Sequence, residues 1–284
     1  MERHYFQQTL LTWYHAHKRD LPWRKTTDPY AILVSEMMLQ QTQVDRVIPK
    51  YQAFLSRFPT MNALANASVG DVLTAWSGLG FNRRALHLHA IAKTISYLPR
   101  IPSELQQLKG IGDYTSKAVA SFAFNYHAAV VDINVKRVYH RLFLGNVWKD
   151  DKETRGKFTV LAQEMLPEES RTWNNAIMDF GALLCTATNP LCGSCPFSSS
   201  CKAFTVAKDP AKIVIIAAKP QPSFVGSRRY YRGQLLKLLK EKKSIDITKM
   251  TDLWKKKEGW IIPLLATMEK EGLIKVEGKQ VIFP

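Results

Sequence analysis

Cysteine is scarce: four residues in 284, all between 185 and 201. Thiols packed so closely read as a metal or cluster site rather than a disulfide framework. No apolar run approaches the ~20 residues that cross a bilayer. The first twenty residues, MERHYFQQTLLTWYHAHKRD, have no apolar signal core. A soluble intracellular protein with no membrane partner is expected. Acidic residues are few, 24 against 40 Lys and Arg, which leaves a net charge of +16. That excess favours a polyanion partner, nucleic acid first. No internal repeat and no long low-complexity tract interrupts the chain, and 46% of it is hydrophobic, enough for an ordinary core.

Strand-like alternation is also missing until the last few residues. Apolar periodicity predicts helices at Phe6–His17, with Leu10, Leu11, Trp13 and Tyr14 on the buried side. Tyr30–Ile48 reads as one core helix, although it holds Glu36 and the polar run Gln40-Gln41-Thr42-Gln43. Short helices follow, broken at Pro59, Gly78 to Gly80, Pro99 to Pro102 and Gly110. Val135–Leu144, Phe158–Met165 and Trp173–Leu184 continue them. The body is therefore expected to be all-α. Residues 206–223 read as a proline-bearing linker with one short strand at Ile213–Ile216. From Phe224 the pattern restarts with helices at Tyr231–Leu239, Met250–Lys256 and Trp260–Lys270, then a hairpin at Leu273–Val276 and Lys279–Phe283. Helices followed by a hairpin suggest a winged-helix-like module. Its 14 Lys and Arg against 7 Asp and Glu suit a DNA binder or a partner domain.

Chemistry concentrates in three places. Gly110-Ile111-Gly112 permits a tight hairpin before a helix starting near Thr115. The free N–H groups and positive dipole end of that helix suit a phosphate. Glu36 sits between Val34, Met37 and Met38, where desolvation should raise its pKa and let it hold a proton near neutrality. Such an acid can protonate a leaving group that must depart neutral. Asp132 in VVDINVKRV suits a helix N-cap, or an anion stabilising the sugar cation that forms as the bond breaks. The two roles are compatible. Cys185, Cys192, Cys195 and Cys201, spaced C-x6-C-x2-C-x5-C, suit one [4Fe–4S] cluster or a structural zinc.

Together LPWR, PYAILVSEMMLQQTQV, TAWSGLG, LHLHAIA, the GIG hairpin, NNAIMDFGALLCT and the cysteine spacing resemble the MutY-type adenine glycosylases. These are helix-hairpin-helix (HhH-GPD) enzymes with an iron–sulfur loop, and the likeness covers Tyr5 to about Ala203. It implies a two-lobed all-α fold: residues 1–26 and 131–205 as the iron–sulfur lobe and 27–130 as a helical barrel lobe; beyond the likeness, 224–284 is expected as the basic winged-helix-like domain. The likeness implies Glu36 as the acid, Asp132 as the stabilising carboxylate with Asn134 beside it, and a structural [4Fe–4S] cluster. Gln40, Gln41, Asn82 and Arg24 would lie against the DNA, and Asp179 near the base pocket. Gly110, Gly112, Thr115 and Lys117 would face the backbone. Tyr114 stands where relatives with lyase activity carry a lysine. A tyrosine forms no imine, so base release without strand cleavage is expected, unless Lys117 substitutes as the amine.

Three departures blur the substrate. Asn82 replaces an aromatic residue after GLG-Phe81. Ser116-Lys117 and Ile133 add bulk or charge near the pocket. The Nudix-like carboxy-terminal domain of the family has given way to the basic module. The expected partner is duplex DNA with a mispaired or damaged base, bound by a monomer, nucleoid-associated in the cytoplasm. Adenine opposite guanine or 8-oxoguanine is the first candidate and thymine or uracil opposite guanine the second. A catalytically silent DNA binder on the same fold is the third.

Overall fold

The computed structural model describes residues 1–145, 152–207 and 223–284. In chain order its helices are α1 (Arg3–His17), α2 (Pro29–Leu39), α3 (Val44–Arg57), α4 (Met61–Ala65), α5 (Val69–Trp76), α6 (Arg83–Thr94), α7 (Pro102–Leu105), α8 (Asp113–Phe124) and α9 (Ile133–Tyr139). A π-helical turn, His140–Leu144, follows α9. Then come α10 (Lys152–Glu164), α11 (Ser170–Leu183) and α12 (Lys202–Ala207). The carboxy-terminal module runs α13 (Arg228–Lys242), β1 (Ser244–Asp246), α14 (Ile247–Trp254), α15 (Glu258–Lys270), β2 (Lys275–Glu277) and β3 (Gln280–Ile282). The expected strand at Ile213–Ile216 lies outside the described residues.

The chain divides into two units. The first comprises Met1–Pro29, Pro99–Gln106 and Ile111–Pro220. Its core follows from the spacing along α1, where Phe6, Leu10, Trp13 and Tyr14 are buried on one face. That face meets Trp173, Ile177 and Phe180 of α11. The Phe6 ring stands 5.2 Å from both Trp173 and Phe197. Phe197, fully buried in the cysteine loop, pins that loop to the helical core.

The second unit comprises Tyr30–Leu98, Gln107–Gly110 and Gln221–Pro284. Every residue of α2 from Tyr30 to Met38 is buried, as an apolar sequence without a polar face requires. The single helix predicted over Tyr30–Ile48 is corrected to two. α2 ends at Leu39, and Gln41 takes φ 55°, which stops the helix before α3 starts at Val44. The helix after the glycine hairpin likewise starts earlier than predicted, at Asp113, with Gly112 as its N-cap.

The domain boundaries also need correction. α8 belongs with the first unit, because Asn174 of α11 donates to Ser121 Oγ (2.9 Å) and the Ala128 carbonyl (2.9 Å). The carboxy-terminal module is not separate but part of the second unit. A Cβ built on Gly70 would stand 3.1 Å from the Phe283 ring, and one on Gly272 3.8 Å from Leu86. The module pairs three helices with an antiparallel sheet of order β1-β3-β2. Ile245 faces Val281, and Val276 faces it from the other side. β1 was not foreseen: a three-residue strand carries too little alternation to register in a sequence.

Candidate active site and cysteine loop

Glu36 lies in the second unit on the buried helix α2, only 5% exposed. Just past it the chain is gripped by Arg84 of α6, which sequence reasoning missed. One guanidinium nitrogen of Arg84 donates to the carbonyls of Met37 (2.6 Å), Met38 (3.0 Å) and Gln40 (2.6 Å). The other reaches Thr42 Oγ1 (3.2 Å) and the Gly80 carbonyl (3.2 Å). Arg84 thus takes over carbonyls orphaned where α2 stops. It ties the Gln40–Thr42 turn to the Gly78–Asn82 loop. Burial lowers its pKa to about 10. The Phe81 ring lies 5.2 Å from the Arg84 guanidinium carbon and is 56% exposed. Gln40 and Asn82 are half-buried beside it, and Gln41 is exposed.

At the hairpin, Gly110 has φ +88°, and a Cβ there would stand 2.2 Å from His87 Nδ1. Both demands leave glycine as the one fitting residue. In the first unit, Tyr114 is half-buried and Thr115 buried on the first turn of α8. Lys117 donates to Asp113 at 2.9 Å, one turn back.

Asp132 is the N-cap of α9. Its Oδ1 accepts from the Val135 N–H (2.7 Å) and its Oδ2 from Asn134 Nδ2 (2.8 Å). Asn134 Oδ1 in turn accepts from Arg137 (3.0 Å). The buried Arg137 guanidinium also donates to the carbonyls of Gly181 (2.7 Å) and Cys185 (2.8 Å). One hydrogen-bonded chain therefore runs from the Asp132 carboxylate to the backbone of the cysteine loop. Gly181 makes room for it: a Cβ there would lie 3.0 Å from Asn134 Cβ.

Asp179, expected near the base pocket, is engaged by two arginines. It is fully buried, and its oxygens accept from Arg24 (2.6 and 2.7 Å) and Arg19 (2.7 and 3.0 Å). Burial alone would push its carboxyl up, but the bonds from Arg24 and Arg19 hold it below the usual range. A carboxylate so fully paired positions arginines instead, and Arg24 is committed to it.

The comparisons now bear on this geometry. Residues 34–164 match the HhH-GPD superfamily of base excision DNA repair proteins, and residues 185–201 match the iron–sulfur binding domain of endonuclease III. The chain is 40% identical over 240 residues to an adenine DNA glycosylase of Mycolicibacterium smegmatis, covering 82% of this chain and 79% of that one. The chain belongs to the adenine DNA glycosylase family. A second member, from Buchnera aphidicola, is 37% identical over 206 residues, of which this chain spans 58%. A solved thermostable thymine-DNA glycosylase superposes with TM-score 0.67 at 30% identity, over 72% of this chain and 96% of that one.

This glycosylase-family chain thus carries an iron–sulfur domain, and its cofactor is a [4Fe–4S] cluster. Its only four thiols all lie in the matched segment, and none is in a disulfide. The donor set fits. Cys185 and Cys201 are buried, Cys192 and Cys195 half-buried. Burial, with the other three thiols adding to it, pushes the Cys195 thiol up to about 12. Such a site disfavours bare thiolates and suits a positively charged iron core. Arg141 holds the loop from within, donating to the carbonyls of Thr186 (2.6 Å) and Ala187 (2.9 Å). When bound, the cluster cross-links this loop; hydrolysis of a glycosidic bond asks no electron of it.

Proposed function

We propose that this protein is a monofunctional DNA glycosylase that hydrolyses the N-glycosidic bond of adenine mispaired with 8-oxoguanine or guanine. The observation that carries this is the 40% identity to an adenine glycosylase over 82% of the chain, in a sequence that holds Glu36 and Asp132. Its family makes it a base-excision enzyme that acts on DNA, and it works as a monomer on a duplex.

A mispaired base flips out of the stack for a few kcal/mol, less than a paired one. Glu36, in apolar surroundings, gives its proton to a ring nitrogen of the base, which leaves neutral. The electron pair of the glycosidic bond goes with the base, and positive charge builds on the sugar. Asp132, held by the Val135 N–H and Asn134, stabilises that cation until water adds to the sugar carbon. Tyr114 and Asn134 assist in orienting water and carboxylate. Gly110, Gly112 and Thr115 present backbone donors to a phosphate. Gln40, Gln41 and Asn82 lie at the vacated stack, and Arg24 lies near the base.

A second reading, thymine or uracil opposite guanine, draws on the 30% identity to the thymine-DNA glycosylase and on Asn82. Gel assays on duplexes holding A:8-oxoG, A:G, T:G and U:G, each with and without alkali, separate the two. Alkali-dependent cleavage at adenine is expected. Cleavage only at T:G or U:G makes the second reading correct, cleavage without alkali makes the enzyme a lyase, and no cleavage leaves a silent binder.

A further inference from the structure

The second unit carries a groove of about 680 Å³ that starts at Gln41 and Asn82 and extends from them to the carboxy-terminal module. One wall is α13 of the carboxy-terminal module, with Gly233, Leu236, Lys237 and Lys240. The other is formed by Gln41–Gln43, Arg46 and the Ser77–Asn82 loop. Phe224 closes the side.

The chemistry of this lining is one-sided. Arg46, Lys237 and Lys240 are all exposed, and no carboxylate lines the groove. Two aromatic rings stand at it with more than half their surface open, Phe81 at 56% and Phe224 at 57%. Gln41, Gln43 and Asn82 add amides able to pair with the edge of a base. Phe81 and Gln41 also hold left-handed backbone, φ 46° and 55°, a strain that non-glycine residues sustain mainly at working sites. The groove is open at Gly233, where a Cβ would meet nothing within 4 Å. Cations that track a backbone beside open aromatic faces are what unpaired nucleic acid binds.

We propose that this groove binds an unpaired nucleotide of DNA, its base stacked at Phe224 and Phe81 and its phosphates held by Lys237, Lys240 and Arg46. The carboxy-terminal module then acts as half of a DNA-binding site rather than as a separate tether. The proposal rests on the glycosylase reading only for the identity of the polymer.

The test is fluorescence anisotropy with two duplexes free of any excisable mispair, one fully paired and one with a single unpaired thymidine. Lys237→Ala with Lys240→Ala should reduce the slope of log affinity against log salt by about 1.8, two phosphate contacts' worth. The control pair Lys255→Ala with Lys257→Ala, exposed lysines of the same module outside the groove, should change it by less than half as much. Phe224→Ala should weaken the bulged duplex about fivefold or more and leave the paired duplex unchanged, as loss of one stacked base predicts. The proposal stands if both results appear together. An equal effect of the control lysines, an unchanged slope, or a Phe224 effect that is absent or the same on both duplexes overturns it. Neither duplex is a substrate, so failure of the adenine assignment leaves this outcome readable.

Discussion

Glu36 and Asp132 are carboxyl groups kept in opposite ways. Glu36 sits in the middle of a helix with every residue from Tyr30 to Met38 buried around it. Asp132 sits at a helix start, half-exposed, with each oxygen already accepting a hydrogen bond. The first is enclosed by its helix, and the second is fixed in direction by donors on both oxygens. The proposed division of labour, acid and stabilising anion, rests on this difference in surroundings.

Exchanging each group for its amide breaks this contrast most directly. Glu36→Gln removes the acid and Asp132→Asn removes the charge. Each should lower single-turnover excision by ~10²-fold or more with DNA affinity retained. The two should differ in their side effects. Asparagine caps a helix about as well as aspartate, so Asp132→Asn should leave the melting temperature in place, while Asp132→Ala should lose about 1 kcal/mol as well. Near-normal rates in both amide variants would mean that the wrong carboxyls have been chosen.

The supports of the two groups differ as much as the groups themselves. Glu36 is steadied by Arg84, which binds backbone carbonyls, whereas Asp132 is steadied by the side chain of Asn134. Arg84→Met keeps the bulk but strands the carbonyls of Met37, Met38 and Gln40. Unpaired buried acceptors cost ~1–3 kcal/mol each, less where water enters. A loss of about 3 kcal/mol in denaturant unfolding is expected, with a midpoint shift and an unchanged slope. An unchanged midpoint would show that the clamp is not needed to hold the end of α2.

What the chain revealed before folding depends on distance along it. The cysteine loop, the Gly110 hairpin, the Asp132 cap and the carboxy-terminal hairpin were legible because each closes within a few residues. The body was legible as helical from apolar spacing. Arg84, Arg137 and Arg141 were not: each has backbone carbonyls more than forty residues away among its partners. In a chain with 40 basic residues, nothing local sets these three apart from surface charges. The partners of Asp179 were hidden for the same reason. The motif around it placed it beside the pocket, and only the fold revealed Arg19 and Arg24 already on both oxygens. Breaking that buried pairing with Asp179→Ala should destabilise by ~3 kcal/mol, read as a lower melting temperature.

A smaller effect probes the spacing behind Asp132. Gly181→Ala puts a methyl group 3.0 Å from Asn134 Cβ and 3.2 Å from its carbonyl oxygen. α9 must then give by a few tenths of an ångström, which moves the amide that holds the carboxylate. A drop in excision of roughly five- to tenfold is expected, about 1 kcal/mol in the barrier, with substrate affinity unchanged. The same substitution should do nothing to Glu36. An equal loss in a Glu36→Gln background would support independent supports, and no further loss there would show that the two carboxyls are coupled through a shared rearrangement.

The smallest effect is expected at Lys117, and it is informative for that reason. If this lysine supplied a nucleophilic amine, its removal would abolish any cleavage made without alkali. Here the ammonium group donates to Asp113 one turn back on α8. An amine attacks only where it can reach the sugar, and this one is tied to a carboxylate on its own helix. Tyr114, at the head of the same helix, cannot form an imine at all. Lys117→Ala should therefore change the excision rate by less than about twofold, the range of an exposed i, i+4 pair. The product should need alkali before it breaks, in the variant as in the parent. A borohydride-trapped protein–DNA adduct that forms with Lys117 and disappears without it would reverse this assignment and make the chain a lyase.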